Sequence, residues 1–259
     1  MSSEEPEKLV EGTLISHLLE LRDRLIRAMI AVALAFLPCM FYSNQIFTFV
    51  ATPLREKLPK GTQLVATTVM SPFTTPFKLS LFVAVFLVMP FIIYQLWAFV
   101  APGLYRHEKR FAVPLLISSI VLFYVGVVFA YFFVFPVMFQ FFAATTPHGV
   151  AMMTDISAYL DFVLKMFLAF GAAFEVPIAV VLLVLTGVVK LEKLKENRGY
   201  VLIGCFVVAA LLTPPDVVSQ CIMAIPMYLL YEGGLLMARV LAKKKMGRET
   251  SDSKEIEVS

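Results

Sequence analysis

Polar and apolar positions along the chain separate into long apolar blocks joined by shorter charged stretches. One block, Phe162 to Val189, reads FVLKMFLAFGAAFEVPIAVVLLVLTGVV, with Lys165 and Glu175 its only charged residues. A helix rises about 1.5 Å per residue, so about 20 such residues cross a hydrocarbon core about 30 Å thick. The block is therefore a membrane helix, and the same reasoning places spans at about 27–47, 78–100, 111–136, 160–187, 200–213 and 217–234. Pro38 is expected to kink the first span, Pro90 lies inside the second, and Pro136 closes the third. Trp97 stands at the end of the second span, as an interfacial anchor does.

The last two blocks are short. Tyr200 to Leu212 is about 20 Å long as a helix, and only TPPD (213–216) separates it from Val217 to Tyr231. Pro214 and Pro215 forbid one continuous helix, so the pair reads as an antiparallel hairpin that thins the bilayer locally. Ahead of the first span, Leu14, Leu18, Leu21 and Leu25 recur at spacings of four, three and four, opposite His17, Glu20, Asp23 and Arg24. That is the pattern of an interfacial helix, here within an N-tail of residues 1–26. Residues 48–77, with Pro53, Pro59, Gly61, Pro72 and Pro76, are too long for a plain hairpin loop and read as a folded cap. Asp155 and Ser157 stand where the N-cap of the fourth span is expected. The charged tail, 237–259, reads as disordered. The expected architecture is an all-α integral membrane protein with a six-span domain at residues 27–236.

Composition agrees: hydrophobic residues make up 59% of the 259 positions and mean hydropathy is +0.83, beyond the roughly 45–50% apolar content of soluble domains. The net charge of +3 acquires meaning only when placed along the spans. Residues 1–27, the loop after span two, the 189–199 segment and the C-tail hold 17 of the 22 Lys and Arg residues, against Arg55, Lys57, Lys60, Lys78 and Lys165 elsewhere. The positive-inside rule then puts both termini in the cytoplasm and the 48–77 cap in the periplasm. The start, MSSEEPEKLVEG, is acidic and polar rather than a basic cleavable leader, so the expected location is the bacterial plasma membrane. No HExxH, GxSxG, Walker lysine loop or dinucleotide glycine pattern occurs, which points away from the usual enzymes and toward binding or transport. Cys39, Cys205 and Cys221 lie in apolar runs without CxxC spacing and read as packing residues. His17, His107 and His148 are dispersed, so no metal or other cofactor is assigned, and no nucleic acid partner is expected.

The residues that invite chemistry are those the lipid would reject. A carboxylate at the bilayer centre costs on the order of 2.5 kcal/mol or more unless it meets water, a proton or a partner. Glu175 therefore either faces a bundle interior or wet cavity, or sits protonated against carbonyls freed by Pro177. Glu20 and Glu108 are cytosolic carboxylates within a few residues of the membrane surface. Brought together they form an acidic notch suited to guanidinium, which a carboxylate binds bidentately. Taken singly, Glu20 fits a surface pair with Arg24 at i,i+4, and Glu108 a loop charge balanced by Arg106, Lys109 or Arg110. Asp216 can cap the sixth helix or stay solvated, and Thr213 and Gln220 can satisfy local backbone or bond another membrane helix.

Four separated motifs, SHLLELRDR (16–24), WAFVAPGLYRHEKR (97–110), FGAAFEVP (170–177) and LLTPPDVVSQ (211–220), lie in order on this pattern of spans. From about residue 13 to residue 240 the chain closely resembles the TatC family, the multispanning receptor subunits of twin-arginine protein translocases. The resemblance implies a cupped bundle of six transmembrane helices, cytoplasmic N- and C-termini, short fifth and sixth helices and no enzymatic activity. It implies that Glu20 and Glu108 recognise the paired arginines in signal peptides of folded proteins, with Arg22, Leu25, Phe99 and Tyr105 shaping the patch. Glu175 matches a membrane glutamate lining a concave face where a signal peptide or partner helix inserts, and Asp216 matches a periplasmic aspartate. Single-span subunits, TatA and TatB, are expected against the fifth and sixth spans near Thr213 and Gln220, in a complex of multiple copies driven by the proton gradient. Many relatives carry a carboxylate just before the second span, where this chain has Ser71, Pro72 and Phe73. The competing readings are a proton-coupled small-solute carrier that titrates Glu175 and an assembly scaffold in which Glu175 is structural. Carriers usually show two related halves, and no repeat relates residues 25–135 to 160–240.

Overall fold

The computed structural model describes residues 5–57, 65–100, 109–146, 153–213 and 216–258. In chain order the elements are α1 (Glu5–Phe41), α2 (Ser43–Lys57), α3 (Ser71–Val100), α4 (Lys109–Phe129), a π-helical turn (Ala130–Val134), α5 (Phe135–Thr145), α6 (Ile156–Leu185), α7 (Leu191–Glu196), α8 (Arg198–Leu212) and α9 (Val217–Val258). Among the described residues the one β pairing is an isolated bridge between Val65 and Asp155, so the fold is all-α. Among the described residues, five stretches are long and apolar enough to cross a membrane: Ser16–Phe41, Ser71–Phe99, Val113–Thr145, Ile156–Leu185 and Val217–Lys243. At 15 residues, α8 is about 22 Å long, short as expected of the fifth span.

The spans sit where the apolar blocks predict, but several ends differ. The first helix runs past Pro38 to Phe41 and restarts at Ser43, so the expected single span to residue 47 is divided between α1 and α2. The second begins at Ser71 rather than 78, because Pro72 occupies the first turn, where a missing N–H has no intrahelical acceptor. The third does not close at Pro136. The π turn widens the helix just ahead of that ring, which cannot donate to the Phe132 carbonyl, and α5 continues to Thr145. The sixth span is not short: its apolar part covers 27 residues. Nor is the tail irregular, since α9 continues to Val258 through a Pro-free run rich in Ala, Leu, Lys, Arg and Glu, all good helix formers.

The chain divides into two compact units, Met1–Thr48 with Phe73–Ile120, and Phe49–Pro72 with Val121–Ser259. In the first, α1 and α3 run antiparallel. Ser80 Oγ donates to the Cys39 carbonyl at 3.3 Å, Phe36 meets Phe77 edge-on, Arg24 bonds Gln95, and His17 stacks on Phe99. As the α1 residue number falls from 39 to 17, its α3 partner rises from 80 to 99.

The second unit is built around α6. Its N-terminus is fixed by Asp155, whose Oδ1 accepts from the N–H groups of Ser157 and Ala158, both at 2.9 Å. Its C-terminus ends at Gly187, which adopts φ 73°, a conformation that costs other residues strain. Between these ends, helices approach α6 through glycine. A Cβ on Gly126 of α4 would fall 2.5 Å from the Phe170 carbonyl oxygen, and one on Gly234 of α9 would fall 2.8 Å from Pro177 Cα. In lipid, where apolar contact with neighbours replaces apolar contact with solvent, such close backbone approach supplies dispersion energy that holds helices together. Aromatic rings complete the seam, Phe129 lying against Phe170 and Phe174, and Phe135 against Phe167.

The connection ahead of α3 is a folded strap in the same unit. Val65 N–H donates to the Thr154 carbonyl and the Val65 carbonyl accepts from Ile156. Thr67 gives both its N–H and its hydroxyl to Asp155 Oδ2, and Ser71 Oγ lies 2.9 Å from Ser157 Oγ. Tyr159 OH reaches the Val50 carbonyl at 2.8 Å. Ser71 is 1% exposed and serves this strap.

Candidate functional site

In the first unit, one turn and a half of α1 gathers the residues singled out from sequence. Glu20 Oε1 accepts from Arg24 Nε at 3.1 Å and from Arg24 Nη2, which is the i,i+4 pair that the spacing allows. Arg24 does not stop there: its Nη1 donates to Gln95 Oε1 on α3 at 3.2 Å, and Gln95 is 7% exposed. The second Glu20 oxygen lies 3.9 Å from His17 Nδ1, and the His17 ring is stacked on Phe99 with centroids 4.2 Å apart. Arg22 bonds Asp23 through Nε and Nη2 at the exposed rim, and Leu25 stands open beside it. Glu20, Arg22, Leu25 and Phe99 thus belong to one unit. Tyr105 and Glu108 lie outside the described residues.

Glu175 belongs to the second unit. It falls in register with the exposed stripe of α6, Lys165, Leu168, Ala172, Ala179 and Leu183, at spacings of three and four, and one of its carboxylate oxygens is buried. A carboxylate at the edge of a buried face is held away from bulk lipid on one side only.

Farther along the same unit, Asp216 resolves its open alternatives as a cap: its Oδ1 accepts from Ser219 N–H at 2.6 Å, at the start of α9. Thr213 Oγ1 donates to the Ala209 carbonyl at 2.8 Å, so it satisfies local backbone at the end of α8. Gln220, one turn into α9, makes no side-chain hydrogen bond to another described residue and is half-buried. Beside it Val217, Val218, Cys221, Ile222, Ile225 and Pro226 line an open apolar groove of about 430 Å³.

A further polar cluster, absent from the sequence reading, secures α7 and α8 to α9. Arg198 Nη2 pairs with Glu232 Oε2 at 2.8 Å, Tyr228 OH donates to the other Glu232 oxygen, and Tyr231 OH donates to the Leu194 carbonyl. Sequence reasoning likewise missed Gln95 as a member of the acidic face. A lone amide inside the apolar run IIYQLWAF is a signal that could have marked Gln95, since a buried amide needs partners. Nothing in the sequence joins it to Arg24, 71 positions away.

Long apolar helices of this length define a multi-pass helical membrane protein. Residues 16–226 match the family described as TatC, Sec-independent protein translocase protein. The chain belongs to this family, whose members are subunits of a bacterial plasma membrane translocase rather than enzymes. It is 54% identical over 230 residues to the TatC of Azotobacter chroococcum, covering 89% of this chain and 90% of that one. It is 52% identical over 242 residues to the TatC of Escherichia coli strain K12, covering 93% and 94%. Among solved structures it is similar to a crystal structure of the twin-arginine translocase receptor TatC, at a TM-score of 0.79 and 37% identity, covering 86% of this chain and 98% of that one.

Proposed function

We propose that this chain is the cargo-receptor subunit of its translocase, binding the paired arginines of signal peptides on folded proteins through Glu20 and Glu108. The observation that carries the reading is the setting of Glu20. Its carboxylate is held on a helix face with one oxygen engaged by Arg24 and the other toward His17, whose ring stacks on the apolar surface of Phe99. Such a face offers a carboxylate to guanidinium and an apolar ledge to neighbouring residues of an extended peptide. Both termini lie in the cytoplasm on this reading, which the distribution of Lys and Arg supports, so the face meets cargo before export. The groove along α9, next to Thr213 and Gln220, takes the single membrane helix of a TatA or TatB partner, in a complex of several copies. Glu175, on the outward stripe of α6, gives an inserted peptide or partner helix a polar contact inside the bilayer, and the proton gradient supplies the energy. The test is site-specific cross-linking of a twin-arginine signal peptide to membranes carrying Glu20→Gln, Glu108→Gln or both. Each single change should weaken the cross-link and the double change abolish it; a cross-link indifferent to both refutes the assignment.

A further inference from the structure

On the face just described, the carboxylate that would receive a cargo guanidinium already holds one. Arg24 directs Nε and Nη2 to a single oxygen of Glu20 and Nη1 to Gln95 Oε1 at 3.2 Å. The Arg24 side chain is 21% exposed and that of Glu20 38%, so the pair sits partly out of water and is less screened than a fully exposed pair. The only other cation in this turn, Arg22, is bonded to Asp23. Glu20 and Arg24 together carry no net charge, which cancels the bare attraction of the carboxylate for any passing cation. A ligand gains at Glu20 only by replacing the bonds that Arg24 makes.

This condition separates the two basic side chains. A guanidinium presents a planar fork that can reproduce paired N–H bonds to a carboxylate, whereas an ammonium is a strongly hydrated point charge that cannot. Displacement does not strand Arg24, since its Nη1 is already on the buried amide of Gln95. An exchange that keeps the displaced cation hydrogen-bonded avoids leaving an unpaired charge in a partly buried site. We infer that Arg24 is a specificity-determining residue, a resident competitor at Glu20 that paired arginines displace and paired lysines do not, with Gln95 the positioning residue that receives it. Discrimination of this kind works by obstructing the wrong partner rather than by adding contacts to the right one. The inference rests on the proposal that Glu20 binds the signal peptide.

The experiment uses the full chain with its partner subunits in lipid nanodiscs. A fluorescent signal peptide bearing two arginines is titrated alongside the same peptide bearing two lysines. For Arg24→Gln the twin-lysine peptide should gain about tenfold while the twin-arginine peptide changes by less than about threefold, so the preference falls by about tenfold. A preference unchanged from wild type overturns the inference. So does a parallel loss for both peptides, which is what a merely structural Arg24 would give. Should Arg24→Gln fail to fold, Arg24→Lys keeps the charge, removes the fork and should relax the preference in the same direction. Gln95→Leu should weaken the twin-arginine peptide several-fold in the wild-type background and leave it unchanged once Arg24 is Gln; equal losses in both remove Gln95 from the scheme. Glu20→Gln is run in parallel. If it leaves twin-arginine binding intact, the reading of the site itself has failed; if it abolishes binding while Arg24→Gln preserves the preference, only the competitor has.

Discussion

Gly126→Ala tests whether close approach to α6 holds the second unit together. The new Cβ would lie 2.5 Å from the Phe170 carbonyl oxygen, 3.0 Å from its carbon and 2.9 Å from Phe174 Cδ2. Carbon atoms settle at about 3.5–4.0 Å, so α4 must move off α6 by up to about 1 Å, and gaps of that size forfeit roughly a quarter to a half of each contact's dispersion energy. The obstacle is main chain, which cannot rotate aside, and the seam it opens carries the contacts of Phe129 with Phe170 and Phe174. Overpacking of a well-filled interior costs about 1–3 kcal/mol, and because the clash is with backbone we expect the upper half of that range. For a chain of this size that corresponds to a fall in melting temperature of roughly 4–10 °C. The assay heats detergent-purified protein and follows the monodisperse fraction by size exclusion. Gly171→Ala should lose less, since its Cβ would meet the ring of Phe123, 2.5 Å away, rather than backbone. Gly204→Ala, with nothing within 4 Å, is the control and should match wild type or exceed it slightly through better helix propensity. If Gly126→Ala melts with the control, close helix approach is not what stabilises this unit.

Two further predictions concern the strap. Hydrogen bonds, first from the Thr67 hydroxyl and then from the Ala158 and Thr67 N–H groups, lower the Asp155 pKa to about 2 from 3.8. A lowered folded-state value means the stabilisation is complete above pH 3.8 and disappears as pH falls toward 2, so the gap in melting temperature between wild type and Asp155→Asn should narrow across that window. A gap constant with pH would refute the role given to the carboxylate. Tyr159→Phe deletes the hydrogen bond that this 3%-exposed residue donates to the Val50 carbonyl and should cost about 1–2 kcal/mol. Tyr131→Phe, which removes a bond to the Phe49 carbonyl from a half-buried residue, should cost less than Tyr159→Phe; equal losses would mean burial does not set the cost.

The spans were legible because a run of about 20 apolar residues has few other uses. Their ends were not, and at the second and third spans the cause is the same: proline was read as a stop. Pro72 instead starts a helix and Pro136 is absorbed by a π turn, both outcomes that depend on backbone hydrogen bonding no local pattern records. The charged tail was misread for the opposite reason, polarity being taken for irregularity where helix propensity decides. At the acidic face, the Glu20–Arg24 pair could be read from a spacing of four, and the Asp216 cap from its place before α9. The bond to Gln95 could not, because it joins two helices and depends on how α1 and α3 align.

The grip on α6 also constrains how Glu175 can act. Gly126 closes on α6 at Phe170 and Phe174, and Gly234 closes on it at Pro177 and Val180, so main chain is held on both sides of residue 175 within about one turn. At about 100° per residue, Glu175 points about 100° away from Phe174 and about 160° away from Pro177, off both contact faces and onto the outward stripe. A helix fixed in this way cannot carry its carboxylate toward a ligand by sliding or rotating without breaking the glycine contacts. On the role proposed for Glu175, any change there comes through its own side-chain torsions or through the arrival of another molecule along the Leu168, Ala172 and Ala179 stripe. A small-residue stretch of that stripe, Ala172 and Ala179, is where a second helix could come closest to such a carboxylate.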